Sequence, residues 1–331
     1  MTANPSAAKI VNEWKYDPSP LIGCRFDPQL RYVFAGAQDQ HVVRLELSSG
    51  KFTAMKGHDS WLRAIGFTND GDRCWTAGYD GRLVAWETAA ETPQPLQTIE
   101  AHEGWIRSLH VSPDQKFLAT AGNDLAVRIW DASTGNLVHT CQGHDRHVYS
   151  ALFSADGHSL FSGDLRGVVK RWNVDTGELL ADWAAKELYS PNPGQGAEYG
   201  GVRSMAYDTQ RKELYCGGLH KATNPFGAIQ EPLIMVLNAA DGSTVRTHTV
   251  KDGPKAICWR VAWHPEGFLM GGCGGQAGGL ICFWRPDAEI EFHRLQLPNT
   301  VLDMDLAHDG SQVATVHYDR HVRLTQLVPQ A

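Results

Sequence analysis

Histidine, hydroxyl and carboxylate side chains recur together in this chain of 331 residues, and the same types form the catalytic triad of serine hydrolases. Three sets recur at matched spacing, each with a tryptophan ten residues after the hydroxyl. They are His58, Thr76, Asp80 and Trp86; His102, Thr120, Asp124 and Trp130; and His144, Ser162 and Trp172. A triad is needed only once, and tryptophan has no acid or base role. The recurrence therefore favours a structural hydrogen-bond network over catalysis.

The third set departs from the other two in its carboxylate. Arg166 stands where the other sets have aspartate, and Asp164 lies two residues earlier. An imidazole that hydrogen-bonds a hydroxyl through one nitrogen needs a partner for the other. The sequence alone leaves open which residue orients His144.

The three sets lie in segments that resemble one another, which run over 57–86, 101–131 and 143–172. Their histidines are 44 and 42 residues apart, and their tryptophans repeat the same two spacings. Within each segment, short alternating runs are separated by turn residues, a pattern typical of hairpins. A period of about 40 to 45 residues with Gly-His and Trp-Asp landmarks predicts four-stranded β-propeller blades.

Weaker copies of the repeat extend over nearly the whole chain and predict seven blades. Their expected limits are 20–57, 58–101, 102–143, 144–186, 187–252, 253–297 and 298–328. The last copy lacks its fourth strand, which we expect residues 9–16, including Trp14, to supply, because such pairing closes the ring. The expected fold is all-β: one seven-bladed propeller of four-stranded antiparallel blades over residues 9–331, after an N-terminal tail, 1–8.

These repeats resemble the WD40 family, the β-transducin-like repeat proteins, over roughly residues 9–328. The resemblance implies that each His, Asp, Ser or Thr and Trp set is a tetrad that stabilises its blade. It also implies a role in binding, since the channel mouth of such propellers commonly contacts ligands. The loops between blades and the turns between the second and third strands mark that rim, here called the top face.

Arginine and aromatic residues occupy the expected ligand-contacting positions of the top face. Four residues before the aromatic position of each inner strand stand Arg63, Arg107, Tyr149, Arg203 and Trp259. Two residues before three of these stand Trp61, Trp105 and His147, and Tyr79 lies in a turn beside a tetrad aspartate. Aromatic rings and guanidinium groups dominate binding hot spots. We expect a protein or an acidic peptide segment as the partner.

Three long connections are expected to wall one side of this face, because long loops on a rigid scaffold often carry function. They are residues 184–200, 217–232 and 271–279. The glycine-rich 271–279 lacks the lysine and the helix of a phosphate-binding loop, and its composition predicts a flexible hairpin loop.

Composition excludes few function classes but sets expectations. The net charge of −7 argues against nucleic acid and membrane partners, and no apolar run is long enough to span a bilayer. Seven scattered cysteines without a C-x-x-C pair predict buried thiols in the cytoplasm, and no spacing indicates a metal site or a cofactor. The alternative to a non-catalytic scaffold is a propeller hydrolase or lactonase, for which Asp303 and Asp305 are isolated channel carboxylates.

Overall fold

The computed structural model describes residues 2–223 and 230–327. In these residues the chain forms seven four-stranded antiparallel sheets and one short hairpin, which confirms the predicted all-β, seven-bladed propeller. The part of the chain that the structure describes has three helices, each a single 3₁₀ turn: Pro5–Ala7, Lys186–Leu188 and Pro193–Gln195. No helix in the described residues is long and apolar enough to cross a membrane.

Each blade runs from an inner strand at the channel to an outer strand at the rim. The inner strands are β2 (Leu21–Phe26), β6 (Leu62–Phe67), β10 (Ile106–Val111), β14 (Val148–Phe153), β20 (Ser204–Asp208), β24 (Ala256–His264) and β28 (Val301–Leu306). The second strands are β3 (Tyr32–Ala37), β7 (Arg73–Gly78), β11 (Phe117–Gly122), β15 (Ser159–Asp164), β21 (Glu213–His220), β25 (Phe268–Gly275) and β29 (Gln312–His317).

The two remaining positions complete each sheet. The third strands are β4 (His41–Glu46), β8 (Arg82–Glu87), β12 (Val127–Asp131), β16 (Val168–Asn173), β22 (Glu231–Asn238), β26 (Gly278–Trp284) and β30 (His321–Gln326). The outer strands are β5 (Phe52–Lys56), β9 (Pro95–Glu100), β13 (Leu137–Cys141), β17 (Leu179–Ala184), β23 (Thr244–Thr249), β27 (His293–Leu297) and, in blade 7, β1 (Lys9–Lys15). The additional hairpin, β18 (Tyr189–Asn192) and β19 (Ala197–Gly200), lies between blades 4 and 5.

Strand β1 closes the ring, as the sequence predicts. It pairs antiparallel with β30, and Trp14 lies opposite Val322. The preceding residues, expected as a tail, are attached to the last two blades: the Asn4 amide donates to the Leu327 carbonyl, and the Ala3 amide donates to Glu266. The predicted tail and last blade also include Met1 and residues 328–331, which lie outside the described residues.

The hydrophobic core lies between neighbouring blades rather than inside any one sheet. In one cluster, Phe34 and Met55 of blade 1 pack against Leu62 and Trp86 of blade 2, and all four are fully buried. Because each sheet is covered on both sides, its middle strands are apolar on both faces. No blade can bury its surface alone, so stability depends on the closed ring.

The glycine-rich segment 271–279 corrects the sequence interpretation, because it is regular sheet. Strands β25 and β26 pair as far as Gly275 and Gly278 and leave only a tight turn. A Cβ at Gly274 would lie 1.9 Å from the Val301 carbonyl oxygen, and one at Gly272 would lie 2.8 Å from the Met304 Cβ. These glycines therefore permit close packing of blade 6 on blade 7, which composition alone cannot distinguish from a flexible loop.

The other two predicted connections differ from each other. Most of 184–200 is the β18–β19 hairpin with its short helices. Much of 217–232 is strand, since β21 continues to His220, which pairs with Glu231 of β22. The middle of that connection, 224–229, lies outside the described residues.

Candidate functional site

The tetrads form the hydrogen-bond networks that their recurrence indicates. In blade 2, the Trp86 indole donates to the Thr76 hydroxyl over 2.8 Å, and the His58 Nε2 lies 2.9 Å from the same oxygen. The other imidazole nitrogen lies 3.0 Å from Asp80. The Thr76 hydroxyl thus accepts from the indole and donates to the imidazole. Both nitrogens of the imidazole therefore have a hydrogen-bond partner. Blade 3 repeats the arrangement with His102, Thr120, Asp124 and Trp130.

Blade 4 closes its network through the aspartate that lies two residues early. The His144 Nδ1 is 3.0 Å from Asp164, and both His144 Nε2 and the Trp172 indole contact Ser162. Arg166, at the usual aspartate position, instead pairs with Glu198. The sequence shows both candidates, but only the end of strand β15 places the Asp164 carboxylate beside the imidazole.

Six of the predicted contact residues surround a cavity of about 120 Å³ at the channel mouth, here called the mouth pocket. Its lining residues are Arg63, Tyr79, Arg107, Tyr149, Arg203 and Trp259. They come from blades 2 to 6, so that only the closed ring brings them together. The three arginines and three aromatic residues alternate around much of the pocket.

Each guanidinium of the mouth pocket stacks on aromatic rings. The Cζ of Arg203 lies 3.9 Å from the centroid of Tyr149 and 5.8 Å from that of Trp259. The Cζ of Arg63 lies 5.0 Å from Trp259, and that of Arg107 lies 4.5 Å from Tyr149. Stacking of this kind fixes the guanidinium planes while leaving N–H groups at their edges available for hydrogen bonds.

The guanidinium groups of the mouth pocket are not ion-paired within the described chain, and the buried Asp303 acts on Arg63 only at longer range. No carboxylate of the described residues forms an ion pair with Arg63, Arg107 or Arg203. The hydrogen bonds of their side chains go to neutral oxygens: Arg63 donates to the Leu302 carbonyl over 3.3 Å, and Arg107 donates to Asn123 over 2.6 Å. Burial and the neighbouring arginines lower the pKa of Arg107 and Arg203 below the usual arginine value. An anion in the pocket would stabilise the charged form of these arginines and raise their pKa again.

An aromatic stack borders the mouth pocket on the side of blades 2 and 3. Tyr79 and Trp105 stack with centroids 4.4 Å apart and planes within 3°, while Trp61 lies 6.3 Å from Tyr79. Trp61 and Trp105 are 45% and 44% exposed, which is high for tryptophan. Arg107 joins the two features, since its Cζ lies 5.0 Å from Trp105. His147, also predicted as a contact, is exposed on the same face but does not line the pocket.

The β18–β19 hairpin is fixed beside the mouth pocket by a charge cluster that sequence reasoning missed. Glu198 accepts hydrogen bonds from Arg146 and Tyr189 and pairs with Arg166. The bond from Arg146, together with the others, lowers the pKa of Glu198 well below its usual range. The residue after the hairpin, Gly201, lies directly against Tyr149 of the pocket. No local pattern relates Glu198 to these arginines.

The hairpin also contacts the long connection of blade 5. The Asn192 side chain donates to the Thr223 carbonyl over 3.0 Å, and the Ala222 amide donates to Ser190. Two of the three predicted walls are therefore adjacent. Tyr318, which occupies in blade 7 the turn position that Tyr79 has in blade 2, is 62% exposed and was missed because that copy of the repeat is weak.

The mouth pocket leads into a channel cavity of about 580 Å³, which shares five of the six mouth residues and is also lined by Arg25, Arg260 and Asp305. A different kind of charge site lies in its wall. Asp303 is fully buried and receives Arg260 through two hydrogen bonds of 2.8 and 2.9 Å and Arg25 through one of 3.2 Å. Burial alone raises its pKa, but the two arginines bring the pKa of Asp303 below its usual range. Burial raises the pKa of Asp305, which accepts from the Phe26 amide.

The channel arginines were missed at the sequence level, although Arg260 directly follows Trp259 of the mouth pocket. Within the described residues, no group of three His, Cys, Asp or Glu side chains is arranged to hold a metal ion.

Comparison with known proteins matches residues 93–131 and 135–173 to the WD domain, G-beta repeat. The chain is 24% identical over 247 residues to apoptotic protease-activating factor 1 of Rattus norvegicus, covering 61% of this chain and 19% of that protein. It is 30% identical over 127 residues to Topless-related protein 4 of Arabidopsis thaliana, covering 38% and 10%. It is 38% identical over 60 residues to angio-associated migratory cell protein of Homo sapiens, covering 18% and 14%. The chain thus spans less than a fifth of the length of these relatives.

The matched repeats are offset from the blades that the structure shows. Residues 93–131 begin before the outer strand β9 of blade 2 and end with β12 of blade 3. Each sequence repeat therefore links two blades.

Proposed function

We propose that this chain, a seven-bladed propeller with two WD40 repeats, is a non-catalytic scaffold that holds an acidic peptide or protein segment at the mouth pocket. The observation that carries this proposal is that Arg63, Arg107 and Arg203 converge on one pocket and none of them is ion-paired within the described chain. Three cations share one small pocket without an ion-paired carboxylate in the described chain. Carboxylates of a partner would supply the missing charge and the missing hydrogen-bond acceptors.

The surroundings of the pocket support binding of a peptide rather than of an isolated ion. Trp61 and Trp105 offer exposed aromatic surface next to Arg107, and Gly201, which follows the hairpin, lies against Tyr149. Aromatic and arginine side chains at the centre of such a surface are typical of hot spots. A positive pocket on a chain of net charge −7 also favours one docking site over diffuse attraction of acidic partners. All seven cysteines are buried free thiols, which favours the cytoplasm.

The second candidate, a propeller enzyme, would use the channel carboxylates. Asp303 is held by Arg25 and Arg260, which opposes proton uptake and leaves it poorly suited as a general acid or base. The His, hydroxyl, Asp and Trp tetrads recur in three blades, as expected of structural hydrogen-bond networks rather than of one catalytic site. Both observations support the scaffold.

The proposal can be tested with nine-residue peptide pools that differ only at the central position, which is Glu, Gln or Lys. Binding to the full chain is measured by fluorescence polarisation. The variant Arg63→Gln/Arg107→Gln/Arg203→Gln removes the charges, and Arg285→Gln on the opposite rim is the matched control. We expect the Glu pool to bind best and the triple variant to weaken it about tenfold or more, with no change in the control. Equal binding of the three pools to the wild-type chain would contradict the proposal.

A further inference from the structure

We propose that the group bound in the mouth pocket is the phosphoryl group of a phosphorylated side chain, in preference to a carboxylate. This inference rests on the proposed function and specifies the acidic group that the partner presents. It concerns the pocket formed by Arg63, Arg107 and Arg203 with Tyr79, Tyr149 and Trp259.

The charge of the pocket favours a dianion. Three guanidinium groups face one another without an ion-paired carboxylate among the described residues, so the pocket carries about three positive charges. A carboxylate would leave roughly two of them uncompensated. A phosphoryl group carries a charge of about −1.5 to −2 at pH 7 and leaves roughly one. In the channel, by contrast, the two arginines Arg25 and Arg260 already have a carboxylate partner, Asp303.

The hydrogen-bond donors of the pocket also exceed what a carboxylate can accept. Each guanidinium has five N–H donors, and within the described chain Arg63 and Arg107 each use one, toward Leu302 and Asn123. Arg203 uses none of its side-chain donors there: its Cζ lies 3.9 Å from the Tyr149 centroid, and its buried Nε has no hydrogen-bond partner among the described residues. Three arginines from three blades approach from separate directions. The three terminal oxygens of a phosphoryl group point in three directions and can accept from such donors together. A carboxylate has only two oxygens, and their lone pairs lie in one plane.

The aromatic walls make the pocket a preformed site. Stacking on Tyr149 and Trp259 holds Arg203 and Arg63 in place before any ligand enters. Side chains already fixed lose little conformational entropy on binding. The cavity of about 120 Å³ has room for a tetrahedral group larger than a carboxylate.

The test adds a phosphoserine pool to the Glu, Gln and Lys pools, with inorganic phosphate as a separate competitor. We expect the full chain to bind the phosphoserine pool about tenfold more tightly than the Glu pool at pH 7.5. Because the second pKa of a phosphoserine is about 6, this preference should shrink at pH 5.5. Arg203→Gln should remove most of the preference, Arg203→Lys should restore part of it, and Arg285→Gln should leave it intact.

The outcomes separate this inference from the function on which it rests. Glu and phosphoserine pools that bind equally well, both above the Gln pool, overturn the phosphoryl assignment and leave the acidic docking site standing. Phosphoserine and Glu pools that bind no better than the Gln pool overturn both. Inorganic phosphate that competes at concentrations similar to the phosphoserine pool also overturns the inference, because the peptide would then contribute nothing.

Discussion

The channel and its mouth contain arginines in opposite electrostatic situations. In the channel, Arg25 and Arg260 converge on the buried carboxylate of Asp303. At the mouth, Arg63, Arg107 and Arg203 converge on an open pocket, and among the described residues they contact aromatic rings and neutral oxygens. The two sites meet on strand β24, where Trp259 of the mouth pocket directly precedes Arg260 of the channel.

The difference shows what each group of arginines contributes. A buried carboxylate between two arginines belongs to the framework, because removing either partner leaves a charge without compensation. Arginines without a carboxylate contribute little to folding and favour an external anion. The tetrads resemble the channel site in this respect, since their polar groups are satisfied inside the protein.

The largest effect that would test this comparison is expected from Asp303→Ala. The change removes the fully buried carboxylate with which Arg260 pairs and leaves Arg25 only the more distant Asp305, so the free energy of unfolding should fall by about 3–5 kcal/mol. Urea unfolding followed by tryptophan fluorescence measures it. The control is Arg203→Gln at the mouth, which should change stability by less than about 1 kcal/mol. Similar losses in the two variants would remove the distinction between channel and mouth.

Mild acid should lower the free energy of unfolding without changing peptide binding at the mouth pocket. His248 and His317 are fully buried, and burial lowers the pKa of each to about 4. The unfolded chain, in which histidine has a pKa of about 6.5, binds protons that the folded chain does not, so stability falls as the pH decreases below 6.5. At pH 5.5 we expect a loss of about 1.4 kcal/mol for each histidine.

Thermal unfolding of the wild-type chain between pH 7.5 and 5.5 measures this loss, and His317→Gln should reduce the slope. The arginines of the mouth do not titrate in this range, so binding of the Glu pool should stay constant. A stability that does not change with pH would contradict the prediction.

The tetrads provide a third effect, which is smaller than that of Asp303→Ala. In Thr120→Val, the Trp130 indole and the His102 Nε2 lose their shared partner in a fully buried site. We expect the free energy of unfolding to fall by about 1–3 kcal/mol. Thr120→Ser retains the hydroxyl and serves as the matched variant. If the valine variant is as stable as the serine variant, the tetrad is not a stabilising network.

The repeat and the inner-strand alignment predicted more of this molecule than any single residue could. They identified blade number, ring closure by residues 9–16 and all six residues that line the mouth pocket, because regular blades place equivalent positions at equivalent places. The prediction of a flexible loop at the glycine-rich 271–279 was wrong for a physical reason. A glycine that permits close packing between blades has the same composition as a glycine in a mobile loop.

Sequence by itself determined the features that repeat. A period near 42 residues dictates four strands, and a His, Asp, Ser or Thr and Trp set that recurs becomes framework. Tertiary structure decided what happens once around the ring. Asp303 and Arg260 lie 43 residues apart in the chain and Asp303 and Arg25 lie 278 apart, yet they form one charge site. Glu198 likewise contacts Arg146, which precedes blade 4 and lies 52 residues before it in the chain. Local sequence carries no record of such contacts, because the packing of neighbouring blades and, for Arg25, the closure of the ring set their distances.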